Sequence, residues 1–198
     1  MTQPLPSSAQ AYLDRLPLGL DSYPDARQKA TISASLVEHW PAIREVALPS
    51  ALYDLVHRPP PPNVWVPEVQ GIALWLVAKD VVCGGDAERF NAFARDLNRH
   101  LLAKPLYGFV MRLLGPRLTA RAVNATWSSF HRGVEQTAVI ESGRATIVVR
   151  YPPHLMPPPI VASFGTAFEA ALEVAGVHGA VARVVSCDDK EATYTIEW

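Results

Sequence analysis

Side chains able to bind or react gather in two short runs, Trp127-Ser-Ser-Phe-His-Arg-Gly133 and Tyr151-Pro-Pro-His154. The first lies where an expected helix runs into a strand. The second lies where the next strand leaves its hairpin. Such junctions converge on one end of a sheet. Trp127, His131, Arg132, Tyr151 and His154 could then line a ligand pocket with aromatic walls and a few polar groups. The simpler alternative is favoured by the frequency of cations in the last turn of a helix. It makes Trp127 and Tyr151 core-edge aromatics, with His131 and Arg132 neutralising a helix C-terminus.

No other pattern survives as a site. None of the six histidines forms a His-x-x-x-His pair, and Cys83 and Cys187 have no metal-binding spacing, so no metal ligand is assigned. Cys83-Gly-Gly-Asp86 lacks the Gly-Lys-Ser/Thr ending of a phosphate loop, and Ser163-Phe-Gly165 is not a nucleophile elbow. Glu169/Glu173 and Asp188/Asp189 read as exposed acids. No catalytic residue is therefore assigned, and the expectation leans away from an enzyme. Residues 1–115 carry 11 basic and 11 acidic side chains, and residues 116–198 carry 7 and 8. Neither half has the positive excess that phosphate backbones require, which argues against a nucleic-acid partner. The N-terminus shows no charged start followed by an apolar run, and two thiols fit a reducing compartment, so a cytoplasmic protein is expected.

Periodicity gives the helices and strands that carry these side chains. Val134–Ile140 and Ala145–Tyr151 are rich in β-branched residues, with turn chemistry at Glu141-Ser-Gly-Arg144. Val181–Ser186 and Ala192–Trp198 read as a second hairpin around Asp188-Asp-Lys190. Between the hairpins, Ile160–Ala175 has a helical stripe through Phe164, Phe168 and Leu172. A helix over Pro116–Phe130 precedes the first hairpin, and Gly133 stops it. The order helix, hairpin, helix, hairpin predicts an α+β fold, with a four-stranded antiparallel sheet backed by helices.

Upstream, residues 1–115 read as mainly helical. Ser7 or Ser8 caps a helix to Leu13, and Pro24 opens one to Trp40. A third spans Pro49–His57. Arg58-Pro-Pro-Pro-Pro-Asn63 reads as a stiff spacer rather than a ligand for a proline-binding groove. Val64–Val82 is the most apolar run. Glu68, Gln70, Lys79 and Asp80 leave its uncharged core short of the ~20 residues of a membrane span, so it reads as a buried central helix. Asp86 caps Ala87–Ala103, and Pro105–Gly115 adds another helix. One domain over residues 1–198 is expected, with residues 116–198 as its α+β part.

The run Arg144-Ala-Thr-Ile-Val-Val-Arg-Tyr-Pro-Pro153, then Phe164–Gly176 and Ala192-Thr-Tyr-Thr-Ile-Glu-Trp198, resembles the C-terminal part of a family of uncharacterised myxobacterial paralogues of roughly 200 residues. It is more distantly similar to vinyl-reductase-type and haem-NO-binding sensor domains. The resemblance implies small-molecule sensing or signalling, through a protein partner or a small-molecule ligand. Haem-NO-binding domains carry Tyr-x-Ser-x-Arg; this chain has Tyr151-Pro-Pro-His-Leu155, without the Ser or the Arg, and no cofactor is assigned. His131 is the residue that would be offered to a haem iron. Vinyl-reductase-type domains hold several cysteines near the end, where this chain has Cys187 alone. A homodimer would follow if an apolar stripe were left uncovered.

Overall fold

The structure is a computed structural model and describes residues 5–104, 127–141 and 143–198. The expected helix Pro105–Gly115 and most of Pro116–Phe130 lie outside the described residues. The fold is α+β, with two antiparallel sheets. In the first half, helix α1 (Ser7–Leu13) leads to strand β1 (Arg27–Lys29), which runs directly into α2 (Ala30–His39). Then come α3 (Ser50–His57), β2 (Trp65–Pro67), α4 (Glu68–Val81) and α5 (Ala87–Ala103). A helical turn at residues 127–130 leads to β3 (His131–Arg132), β4 (Glu135–Glu141), β5 (Arg144–Arg150), α6 (Pro158–Val174), β6 (Val181–Cys187) and β7 (Glu191–Glu197).

The four-stranded sheet has the order β4-β5-β7-β6. Its central strands alternate strictly. Ala145, Ile147 and Val149 on β5 are buried and stand opposite Ile196, Tyr194 and Ala192 on β7. A two-residue period with one solvated face is what an antiparallel sheet backed on one side requires. Helix α6 supplies the backing. Phe168 meets Tyr194 edge-on at 5.2 Å, and the Tyr194 hydroxyl donates to Val161 O at 2.9 Å. Burying a side chain of this size contributes about 1.5–3 kcal/mol. Along its other flank, α6 is laced to α5. Arg95 pairs with Glu169, and Arg99 grips Glu173 with two hydrogen bonds of 2.8 and 3.0 Å.

Helix α4 is the hub of the first half. Val69 and Ile72–Ala78 are buried nearly all round, as its uninterrupted apolar run predicts. The core is continuous from Leu5 to Ile196. Helix α1 has no side-chain cap of its own, which corrects the serine cap expected from sequence. Its orphan donors are met by Asp80 at the end of α4, which accepts from Ser8 N and Ser8 Oγ, both at 2.6 Å. No described helix is long and apolar enough to cross a membrane.

Two helix starts differ from expectation, and both make room for the second sheet, of order β2-β1-β3. The helix expected from Pro24 begins at Ala30, because Arg27–Lys29 are extended. The helix expected from Val64 begins at Glu68, because Trp65–Pro67 are extended. Val66 precedes Pro67 and is sterically pushed out of the helical region. The four-proline spacer delivers β2 onto β1 and satisfies the start of α2, with Ala30 N donating to Val64 O and Thr31 N to Pro62 O. Gly133, expected as a helix stop, instead follows β3 with φ 66°. A Cβ there would lie 2.7 Å from Asp25 O, so the close approach of β3 to the β1 entry requires glycine.

The β6–β7 turn is held by Asp188, which accepts from Lys190 N and Glu191 N, each at 2.8 Å. These two bonds hold its carboxyl below the ordinary range. A lowered acid contributes stability while ionised. The contribution is complete above the ordinary carboxylate pKa and is lost as pH falls through the lowered value. Asp188→Ala is therefore expected to lower stability at neutral pH, with the gap to wild type closing in strong acid. Urea unfolding at both pH values checks this; a gap that persists unchanged in acid contradicts it.

Candidate functional site

The inner face of the small sheet carries the site. Gln28 on β1 and His131 on β3 are cross-strand partners, and both are buried. Glu68, the first residue of α4, is 1% exposed. Its backbone N donates to Ala26 O at 2.9 Å, which pins the helix start to the sheet. Its carboxylate lies 3.1 Å from His131 Nδ1. A carboxylate only accepts, so Nδ1 carries the hydrogen in this contact, and in the neutral tautomer that has it Nε2 is an acceptor. No described residue partners that nitrogen.

Aromatic rings enclose the imidazole. Trp127 stacks on it at 4.2 Å and 23°, and is itself fixed by Nε1 donating to Val134 O at 2.9 Å. Phe164 of α6 meets both rings edge-on, at 5.2 Å from Trp127 and 5.9 Å from His131. Beyond them lies a cavity of about 140 Å³, bounded by α4, α5, α6 and the small sheet. Its walls include Ile72, Trp75, Leu101, Phe164 and Phe168, with Gln28, Glu68 and His131 among the polar lining. Among the described lining residues Glu68 is the only carboxylate, and there is no lysine or arginine. Gln28 is held by Nε2 donating to Ser33 Oγ at 3.1 Å. It crosses α4 at Gly71, where a Cβ would sit 1.6 Å from Gln28 Nε2.

Ser163 lines the cavity, but its hydroxyl donates to Ile160 O at 2.8 Å, a helix carbonyl rather than a base. Burial, then the charge of Glu68, pushes the Tyr12 phenol well up, so it stays protonated. Burial likewise pushes the Cys83 thiol up, away from the thiolate a nucleophile needs. Among the described residues no three His, Cys, Asp or Glu side chains stand together as metal ligands.

The five residues singled out from sequence go to three places. Trp127 and His131 meet at the cavity. Arg132 follows His131 on β3 and so faces the other way, with its guanidinium 4.1 Å from the Trp65 ring centroid. Tyr151 and His154 sit at the β6–β7 turn. The Tyr151 hydroxyl donates to Asp188 O at 3.2 Å, and His154 N donates to Asp189 O at 2.7 Å. Burial, then the neighbouring Cys187, pushes the Tyr151 phenol up, leaving a neutral donor. Sequence reasoning missed Glu68, Gln28 and Gly71. A lone acid at the head of an apolar run was the signal available for Glu68.

The chain belongs to the family described as protein of unknown function (DUF2378), whose model matches residues 92–198. That span contains Trp127, His131 and Phe164, while Gln28 and Glu68 precede it. No curated protein and no solved structure matches the chain.

Two predictions test this geometry. Removing one partner of the Glu68–His131 pair strands a buried polar group, at a cost of about 1–3 kcal/mol, and about 3–5 where the stranded group is charged. Glu68→Leu and His131→Phe are each expected to destabilise strongly. The double variant should lose less than the sum, by about 0.5–3 kcal/mol. Additive losses in chemical denaturation contradict the pairing. Gly71→Ala should gain about 1 kcal/mol of helix propensity. It should lose more by driving the Gln28 amide off Ser33, a cost of about 1–3 kcal/mol. In a Gln28→Ala background the same change should stabilise, and a destabilisation there refutes the contact.

Proposed function

We propose that the protein is a non-catalytic sensing or regulatory module that binds a small planar molecule carrying one hydrogen-bond donor. The observation that carries this reading is the His131 imidazole. One nitrogen is committed to a buried carboxylate, and the other has no hydrogen-bond partner among the described residues, in a ring that lines an aromatic-walled cavity. An apolar cavity of about 150 Å³ takes up benzene, so a single ring is the appropriate size for this one. Trp127 and Phe164 offer ring edges and faces for stacking. A ligand O–H or N–H would meet Nε2. A ring without a donor would leave that nitrogen desolvated and unpaired, which disfavours it.

Other features agree. The likeness of the tail to the myxobacterial paralogues, and more distantly to haem-NO-binding and vinyl-reductase-type sensor domains, supports sensing. The cavity's size weighs for a single-ring ligand over a porphyrin, since sites enclosing larger molecules run to about 300–1,000 Å³. Tyr151 and His154 do not line the cavity, which weighs against a His131/Tyr151/His154 pocket in haem binding or catalysis. The two free thiols, Cys83 and Cys187, suit a cytoplasmic setting.

Thermal unfolding and calorimetry with phenol, aniline and toluene test the reading. Phenol or aniline at a hundredfold excess over its Kd should stabilise the fold by about 2.7 kcal/mol. Toluene should bind about fivefold or more weakly, since an unpaired Nε2 costs about 1–3 kcal/mol. Ala167→Phe, which fills the cavity from α6, should abolish the effect. No response to any of the three rings, or equal binding of toluene, contradicts the proposal.

A further inference from the structure

The outer face of the three-stranded sheet differs in character from the inner one. Strand alternation that turns Gln28, Val66 and His131 inward turns Arg27, Lys29, Trp65 and Arg132 outward. Arg27 and Arg132 are direct cross-strand partners. Lys29 Nζ and the Arg132 guanidinium carbon lie 4.0 and 4.1 Å from the centroid of the same Trp65 ring. Like charges placed opposite each other in a ladder repel, so this arrangement costs stability unless something offsets it.

Among the described residues none of Arg27, Lys29 and Arg132 forms an ion pair, and residues 105–126 contain no Asp or Glu. Arg58, Arg95, Arg99, Arg150 and Arg183 each hold a carboxylate, whereas Arg15, Arg44, Arg89 and Arg144 form no ion pair among the described residues; what distinguishes this face is that its three cations gather on one sheet face around one indole. On this face the polar contacts are to neutral backbone: Arg27 Nε donates to Pro24 O at 2.9 Å, and Lys29 Nζ to Asn63 O at 2.6 Å. These bonds and the indole hold the cations in place and supply no counter-charge.

We propose that this face is a docking site for an acidic segment of a protein partner. Carboxylates of that segment lie against Arg27, Lys29 and Arg132, and Trp65 forms the floor. Charge complementarity selects this occupant. A guanidinium matches a carboxylate with two parallel hydrogen bonds. Nucleic acid fits less well, because three cations are few for a phosphate backbone and residues 1–115 carry no net basic charge. The face is separate from the cavity, so the proposal stands whether or not the ring-binding reading does.

The test uses the full chain and a short fluorescein-labelled peptide of alternating Glu and Ser, with a Gln-for-Glu version as control. Fluorescence anisotropy at low salt should show binding of the Glu peptide and not of the Gln peptide, and added salt should weaken it. The double variant Arg27→Gln/Arg132→Gln should weaken binding about tenfold or more, the loss expected for removing charge-assisted pairs. Arg44→Gln changes an exposed arginine that forms no ion pair among the described residues, and should leave binding unchanged. If the double variant fails to fold, the wild-type response decides: the Glu peptide should alter tryptophan emission, and Trp65→Phe should remove that change. The proposal is overturned if the Glu peptide does not bind at low salt, or if Arg44→Gln weakens it as much. It is also overturned if an oligothymidine strand displaces the peptide and binds more tightly through the same residues.

Discussion

A carboxylate buried to 1% exposure must be met by a partner, and the meeting of Glu68 with His131 organises this molecule. Leaving such a group unpaired in a low-dielectric interior would consume a large part of a domain's net stability, which is only about 5–15 kcal/mol. The contact fixes where α4 begins and where β3 lies against it. It also commits one imidazole nitrogen and orients the other. Trp127 follows, because it stacks on the ring so held, and Phe164 closes over both. The cavity is what remains between rigid aromatic rings fixed by a polar contact.

The two sheets divide the work. The four-stranded sheet and α6 bury a regular alternating face, and most of their side chains are explained by that burial. The three-stranded sheet is too short to stand alone, since two- and three-residue strands need packing to persist. It is held by its flanks, with Glu68 N on Ala26 O and the proline spacer's carbonyls on the first turn of α2. Its value lies in its two faces. Consecutive residues His131 and Arg132 point to opposite sides, so one strand supplies both a polar group for the cavity and a cation for the surface.

Long periodic elements were legible in the sequence, because their burial repeats. Ala87–Ala103 and its Asp86 cap, the β4–β5 hairpin and the β6–β7 hairpin stand where β-branched residues and helical stripes place them. The small sheet was not legible. Strands of two or three residues carry too little alternation to register, and Arg27–Lys29 and Trp65–Pro67 were absorbed into the helices they precede. Glu68 read as a charge interrupting an apolar run, whereas its function is to be buried opposite a histidine 63 residues away. Of the cluster drawn from sequence, Trp127 and His131 do meet at the cavity. Tyr151 and His154 belong to the β6–β7 turn: β5 does return to the β3 end of the sheet, with Arg150 opposite Glu135, but the Tyr151 hydroxyl and His154 N are taken by Asp188 O and Asp189 O. Convergence of separate strand ends is a tertiary fact that spacing along one chain does not encode.

The most direct measurement is the 15N spectrum of the His131 side chain, assigned by its loss in His131→Phe. Nδ1 should appear as the hydrogen-bearing nitrogen bonded to Glu68 and Nε2 as the bare acceptor, with Nε2 shifting when phenol is added and Nδ1 holding still. A ring protonated on Nε2 alone, or one whose two nitrogens ignore both phenol and the Glu68→Gln change, would contradict the account.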